Sequence, residues 1–159
     1  MPSGLAPSGT PAFDEPAAAQ FGFWCGDWCA ESIVGGGEEP KTGHNSVGWL
    51  WDGKALLEQF SMPDGSDVFH GHSISVPVQG RGWCQTWVDS EGQYLDFVGG
   101  MVGDEMVLDR TAVTAEGRTV LQRMRWWDID SDAFSWDWLA AEPGADEWDL
   151  RWRLRYTRA

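Results

Sequence analysis

The sequence predicts an all-β protein, folded as one closed antiparallel barrel of eight to ten strands behind a short N-terminal tail and helical turn. Turn-forming residues recur about every dozen positions from Phe21 onward. Ten of the 12 tryptophans form pairs with an even spacing, which places both rings of a pair on one face of a strand. No segment shows a helical period long enough for an α/β fold, and no solenoid or propeller repeat is present.

The elements follow in order along the chain. Residues 1–19 are rich in Pro, Ala, Gly and Ser and predict a flexible tail, which ends in a helical turn near Gln20 that caps the barrel. Residues 20–159 form the barrel domain. Turn signals such as Asp52-Gly53, Asp64-Gly65 and Glu91-Gly92 divide it into strands. The predicted strands are 24–34, 43–51, 54–62, 67–78, 82–89, 93–101, 105–114, 118–129, 133–141 and 147–157.

The last strand shows the clearest alternation. Trp148, Leu150, Trp152, Leu154 and Tyr156 share one face, and the residues between them, mostly arginines, share the other. Ten short meandering strands favour a closed barrel because closure removes exposed sheet edges. Alternation is too weak over 105–127 to assign an inward face.

Composition narrows the range of partners. The chain has 159 residues, enough for one domain with a real core, and its 42% hydrophobic content excludes wholesale disorder. A net charge of -14 repels nucleic acid and anionic membranes, so the expected partner is a small molecule. A homodimer is left open.

Three cysteines, Cys25, Cys29 and Cys84, are an odd number, and the N-terminus lacks the features of a signal peptide. No apolar run reaches membrane-spanning length. We therefore expect reduced thiols in a cytoplasmic protein. No fourth cysteine or clustered histidine completes a zinc site, so no metal is predicted.

Several short segments resemble a bacterial family of unknown function, the DUF1579 type, in the calycin or lipocalin-like superfamily. Its opening pattern F-W-x-G-x-W is similar to residues 23–28. Further similar segments are 53–58, 83–89, 106–108, 122–126 and 156–158. The resemblance implies a lipocalin-like barrel of eight to ten strands with a central cavity, and it implies no known reaction.

In that superfamily a late arginine packs over the tryptophan of the G-x-W signature. The resemblance assigns this role to Arg153 or Arg155, over Trp28. The chain departs from the family pattern by extra tryptophans at Trp49, Trp51 and Trp136, and by Phe60 where tryptophan is common.

The alternation of side chains between the two faces of each strand (strand parity) predicts a cavity that binds a hydrophobic, aromatic molecule. Six tryptophans are expected to supply its walls: Trp49, Trp51, Trp83, Trp87, Trp136 and Trp138. Trp28 and Trp152 are assigned to the core, because small barrels fill themselves with side chains. Gln85, Glu58 and Arg123 are in phase with aromatic positions and are expected to orient the ligand. The alternatives are a structural ion pair or an exposed face for Arg123 and Glu58.

An enzyme on the same scaffold is the second hypothesis, namely a cofactor-independent lyase, isomerase or cyclase. His70, His72 or Glu58 would move the proton. Haem held by His70 or His72 is the alternative to a cofactor-free protein, although no histidine follows His72 to match the late-strand ligand of related haem-binding barrels. A third hypothesis is a structural or dimer-forming module whose tryptophans are all core.

Overall fold

The computed structural model describes residues 17–37 and 39–159. Each strand pairs antiparallel with the next, and β10 returns to β1, which closes the barrel. Helix α1 (Ala17–Phe21) and a 3-10 helix (Gly22–Trp24) precede the strands. These are β1 (Gly26–Val34), β2 (Thr42–Leu50), β3 (Ala55–Asp64), β4 (Asp67–Val78), β5 (Gly82–Asp89), β6 (Tyr94–Val102), β7 (Glu105–Val113), β8 (Thr119–Trp127), β9 (Ala133–Ala141) and β10 (Asp149–Arg158).

The predicted all-β barrel and its N-terminal helical turn are confirmed, with ten strands. All predicted strands are present because glycine-containing turns separate short alternating segments, which is how an up-and-down barrel is punctuated. Most of the predicted tail, residues 1–16, lies outside the described residues.

The helical segment plugs one end of the barrel. Phe21 and Trp24 stack with ring centroids 4.8 Å apart, and the Phe21 ring packs edge-on against Trp83 and Trp126 at 5.2 and 5.1 Å. All four side chains are almost completely buried. This half of the interior is therefore solid core, packed by aromatic rings.

The arginine at the plugged end is Arg158, which corrects the assignment of Arg153 or Arg155. Its guanidinium lies 4.0 Å from the centroid of the Trp28 ring and donates to the carbonyl oxygens of Cys25 and Ser131. Arg153 and Arg155 lie on the opposite face of β10, where alternation directs them to the outside of the barrel.

A buried ionic cluster lies on that outer face. The carboxylate of Asp137 is only 1% exposed and accepts two hydrogen bonds from Arg153, at 2.7 and 2.8 Å. Arg125 approaches it at 3.3 Å, and both guanidinium groups lie over the ring of Trp127. Two arginines thus neutralise one carboxylate that is out of contact with water.

The structure assigns the inward face that the sequence left open over 105–127. Met106, Leu108, Met124 and Trp126 are buried inside the barrel. No described helix is long and apolar enough to cross a membrane. All three cysteines are unpaired.

Candidate functional site

The half of the barrel opposite the helical plug contains a cavity of about 480 Å³. Its mouth lies among the β1–β2, β3–β4 and β5–β6 loops, and its walls come mainly from β3, β8 and β10, with further residues from β5, β6 and β9. Rings dominate the lining: Phe60, Phe69, Trp87, Phe97, Trp126, Trp136, Trp138, Trp152 and Tyr156. The volume and the apolar character are typical of a small-molecule pocket.

The aromatic walls hold one another in place. Trp152 meets Trp136 edge-on at 5.8 Å and Phe60 edge-on at 6.3 Å. Across the cavity, Trp138 meets Phe97 edge-on at 5.8 Å. Such edge-to-face contacts orient the rings without filling the space between them, so flat faces remain available to a ligand.

Trp87 is held at the mouth by contacts within its own strand β5 and with the neighbouring strand β4. Its indole N–H donates to the carboxylate of Asp89 at 2.9 Å, and its ring stacks on Phe69 at 6.4 Å. The ring also lies across Gly71 of β4, where an added Cβ would approach ring carbons to 2.1 Å. Only glycine leaves room for the indole at this point.

Glu58 is the polar residue at the centre of the site. It lines the cavity but is only 7% exposed. Its two carboxylate oxygens accept hydrogen bonds from the Asn45 amide and the Ser73 hydroxyl, both at 2.8 Å. The described residues offer Glu58 no salt bridge, so this buried carboxylate has donors but no counter-ion.

Burial controls the ionisation of this cluster. Loss of solvation raises the pKa of Glu58 from its usual value of 4.5 to about 7, against the smaller opposing effect of the bonds from Asn45 and Ser73. The pKa of the Tyr156 hydroxyl is raised because it is buried and because Glu58 is near. At neutral pH the cavity therefore contains a carboxyl group close to half ionised.

Glu58→Gln is expected to remove a pH-dependent destabilisation. The Glu58 carboxyl group keeps its proton up to a pH of about 7 in the folded state but only up to about 4.5 in the unfolded chain. The unfolding free energy therefore falls as the pH rises between these two values and is constant above them. Relative to wild type, the variant should gain about 3 kcal/mol of unfolding free energy between pH 4 and pH 8. Urea unfolding at several pH values measures this.

The matched control for that prediction is Glu91→Gln at the exposed rim of the mouth. It removes one carboxylate without changing a buried group, so its effect on stability should vary little with pH. A difference in unfolding free energy between Glu58→Gln and wild type that stays constant from pH 4 to pH 8 contradicts the assigned pKa of Glu58.

The structure places four of the nine predicted ligand-binding residues on the cavity wall, namely Glu58, Trp87, Trp136 and Trp138. Three others point inward but belong to the core. Trp83 is fully buried against the plug, where its N–H donates to Gln20 at 3.1 Å. Gln85 is buried and donates to Ser75 at 2.9 Å. Trp49 packs on the core from β2.

The remaining two predicted ligand-binding residues lie away from the cavity. Trp51 lies in the β2–β3 turn at the plugged end with a left-handed backbone, and it is 65% exposed. Arg123 lies on the outside of β8, where it forms a two-bond pair with Asp109 and lies 4.2 Å from the centroid of the Trp148 ring. For Arg123, strand parity did not resolve which face of β8 points inward. For Trp51, the even spacing from Trp49 does not place both rings on one face, because Trp51 lies in a turn and not in the strand.

The two histidines also lie outside the cavity. His70 and His72 alternate with the buried Gly71 and Ser73 on β4, so both project outward and are exposed. They cannot act on a molecule in the cavity or hold haem there. Of the three proposed proton carriers, Glu58 alone faces the cavity. Among the described residues, no group of three or more potential ligands could hold a metal ion.

Sequence reasoning missed several wall residues. Trp152 was assigned to the core, but it lines the cavity and donates its N–H to Ser32 at 3.0 Å. Tyr156 and Phe69 also line it. Tyr156 lies on the same face of β10 as Trp152, so strand parity could have predicted that it lines the cavity. Trp148 does not share that face, because the register shifts between Leu150 and Trp152.

Fold and site together define a closed ten-stranded barrel with an aromatic internal pocket. Comparison with known proteins identifies no matching family model and no matching curated protein. The chain is similar to the solved structure titled "Crystal Structure of Rv2717c from M. tuberculosis". The TM-score is 0.60 at 13% sequence identity, over 91% of this chain and 98% of that one. At this identity the likeness shows the fold alone.

Proposed function

We propose that the protein binds a small hydrophobic molecule with an aromatic portion inside the barrel. The cavity supports this proposal most directly, because about 480 Å³ bounded by rings, with one buried carboxyl group, is the arrangement of an apolar pocket with a single orienting polar group. A purely structural barrel would use its tryptophans to fill this space. Here Trp87, Trp136, Trp138 and Trp152 surround it instead.

Leu95→Trp is expected to abolish binding by filling the pocket. Leu95 lines the cavity and pairs with Trp87 on the neighbouring strand, so a larger ring there occupies ligand space. Affinity for a neutral probe, 2-(1-naphthyl)ethanol, should fall at least about tenfold, equal to ~1.4 kcal/mol. Isothermal titration calorimetry measures the affinity, and native mass spectrometry of the purified protein shows any retained ligand.

Tyr94→Trp is the control for this variant. Tyr94 precedes Leu95 on β6 but is 72% exposed on the outer face, so the same new side chain stays outside the barrel. It should bind the probe as wild type does. Equal loss in both variants, or no binding of the probe to wild type and no retained ligand, contradicts the proposed function.

A second candidate function, proton transfer on such a molecule, is favoured by one observation. Glu58 combines a cavity position with a pKa raised to about 7, which suits a general acid or base at neutral pH. An isomerase or lyase of this kind predicts that Glu58→Gln retains binding of the cavity ligand but loses turnover. Binding without any turnover by wild type supports the first function.

We also propose membership of the DUF1579-type family and a cytoplasmic location. The closed barrel fits the resemblance of the short segments, and the three unpaired cysteines fit a reducing compartment.

A further inference from the structure

The hydrogen-bond partners of Glu58 indicate which chemical group of a ligand would be complementary to it. Both donors on the carboxylate are neutral, from Asn45 and Ser73. Neither Asn45 nor Ser73 lines the cavity, so the polar group that a ligand meets at this point is the carboxylate of Glu58. This carboxylate has no counter-ion among the described residues, and it is complementary to a donor with a positive charge.

The aromatic walls add a second, independent attraction. The faces of tryptophan, tyrosine and phenylalanine rings carry partial negative charge and attract cations, most strongly where water is excluded. Phe60, Trp152 and Tyr156 line the same cavity as Glu58. An ammonium group in this enclosure thus meets ring faces as well as the carboxylate.

The charges at the mouth favour entry of a cation. Three carboxylates line it, those of Asp64, Asp89 and Glu91, together with Lys41 and Arg151. Lys41 is paired with Asp64 at 2.8 Å, and Arg151 with Asp149 at 3.5 Å, so the charges left without a salt bridge at the mouth are those of Asp89 and Glu91. The chain as a whole carries a net charge of -14, which raises the local concentration of cations.

One inward cation argues in the other direction. Arg110 of β7 donates to Gln122, lies 5.9 Å from the centroid of Phe97, and has a buried Nε atom without a partner among the described residues. It could attract an anionic ligand. However, Gln122 and Phe97 line the cavity whereas Arg110 does not, so the charged group exposed to a ligand inside the barrel is Glu58.

We propose that the ligand is an organic cation, whose aromatic body lies between the tryptophan walls and whose protonated amine pairs with Glu58. This inference rests on the proposed function and specifies its ligand class. The groups facing Glu58 are Asn45 from β2, Ser73 from β4 and Tyr156 from β10. Tyr156 is neutral at pH 5–8 because its pKa is raised, so Glu58 alone supplies the pH dependence.

The test uses three naphthalene probes of the same shape in calorimetric titrations: 2-(1-naphthyl)ethylamine, 2-(1-naphthyl)ethanol and 1-naphthylacetate. At pH 8 the amine should bind wild type at least about tenfold more tightly than the alcohol, and the acetate more weakly than both. Between pH 8 and pH 5.5 amine affinity should fall toward that of the alcohol, because only about 3% of Glu58 is ionised at pH 5.5. Amine binding at pH 7 should release about half a proton.

Glu58→Gln should bind amine and alcohol with similar affinity, and its amine affinity should not vary with pH. The variant can fold because the Asn45 amide can reverse to accept a bond from the introduced amide. Glu31→Gln, at an exposed position of β1 outside the cavity lining, is the control and should keep the preference for the amine. Equal binding of amine and alcohol by wild type, or tighter binding of the acetate, overturns the inference but leaves the proposed function standing. Failure of all three probes to bind overturns the inference, and the absence of any retained ligand in native mass spectrometry then overturns the proposed function as well.

Discussion

Trp28→Ala is expected to cost about 3–5 kcal/mol of unfolding free energy, the range measured for removing a large aromatic side chain from a core. Trp28 is completely buried, and its N–H donates to the Trp24 carbonyl oxygen at 2.9 Å. The centroid of its ring lies 4.8 Å from that of Phe134, and the Arg158 guanidinium lies over the ring, 4.0 Å from the centroid. The substitution removes all these contacts and leaves a cavity beneath the plug.

Trp51→Ala makes the same chemical change at a site that is 65% exposed, in a turn. It should alter stability by no more than about 0.5 kcal/mol. Urea unfolding of both variants, followed by far-ultraviolet circular dichroism to avoid dependence on tryptophan fluorescence, measures the contrast. Similar losses in the two variants would show that the plugged end does not have the packing described.

The second large effect is expected at Asp137. Asp137→Ala removes the buried acceptor shared by Arg153 and Arg125 and leaves two guanidinium groups, 30% and 31% exposed, beside the Trp127 ring. The substitution loses charged hydrogen bonds to a buried carboxylate, while solvent partly screens the remaining charge, so we expect a cost of about 2–3 kcal/mol.

The outer face of the barrel contains a natural control in the Arg123–Asp109 pair. Its hydrogen bonds have the same lengths, 2.7 and 2.8 Å, but Asp109 is 46% exposed where Asp137 is 1% exposed. Asp109→Ala should therefore cost no more than about 1 kcal/mol. The comparison, again by urea unfolding, sets a buried carboxylate with two arginine partners against an exposed one with a single partner at equal hydrogen-bond lengths. If both substitutions cost the same, burial is not what makes the Asp137 cluster strong.

The position of Glu58 links stability and function in one residue. Its carboxylate destabilises the empty barrel at neutral pH because it is buried without a counter-ion. The proposed cationic ligand group would supply the counter-ion that the described residues do not give this carboxylate.

Side-chain alternation along the strands predicted part of the cavity lining but not all of it. Glu58, Trp87, Trp136 and Trp138 were predicted to face inward because they lie within strands whose alternation is regular. Parity does not say how far along the barrel a side chain lies. Trp83 also faces inward, but it meets the helical plug, whereas Trp87, four residues later on β5, reaches the open half.

By itself, the sequence determined the all-β class, the ten strands and their approximate bounds, because turn residues and side-chain alternation are local properties of the chain. Only the tertiary structure decided which end is filled by Phe21 and Trp24, and which arginine covers Trp28. It also decided that His70 and His72 lie outside while Glu58 lies inside. These depend on barrel closure and on the register shift in β10, which bring together residues far apart in the chain.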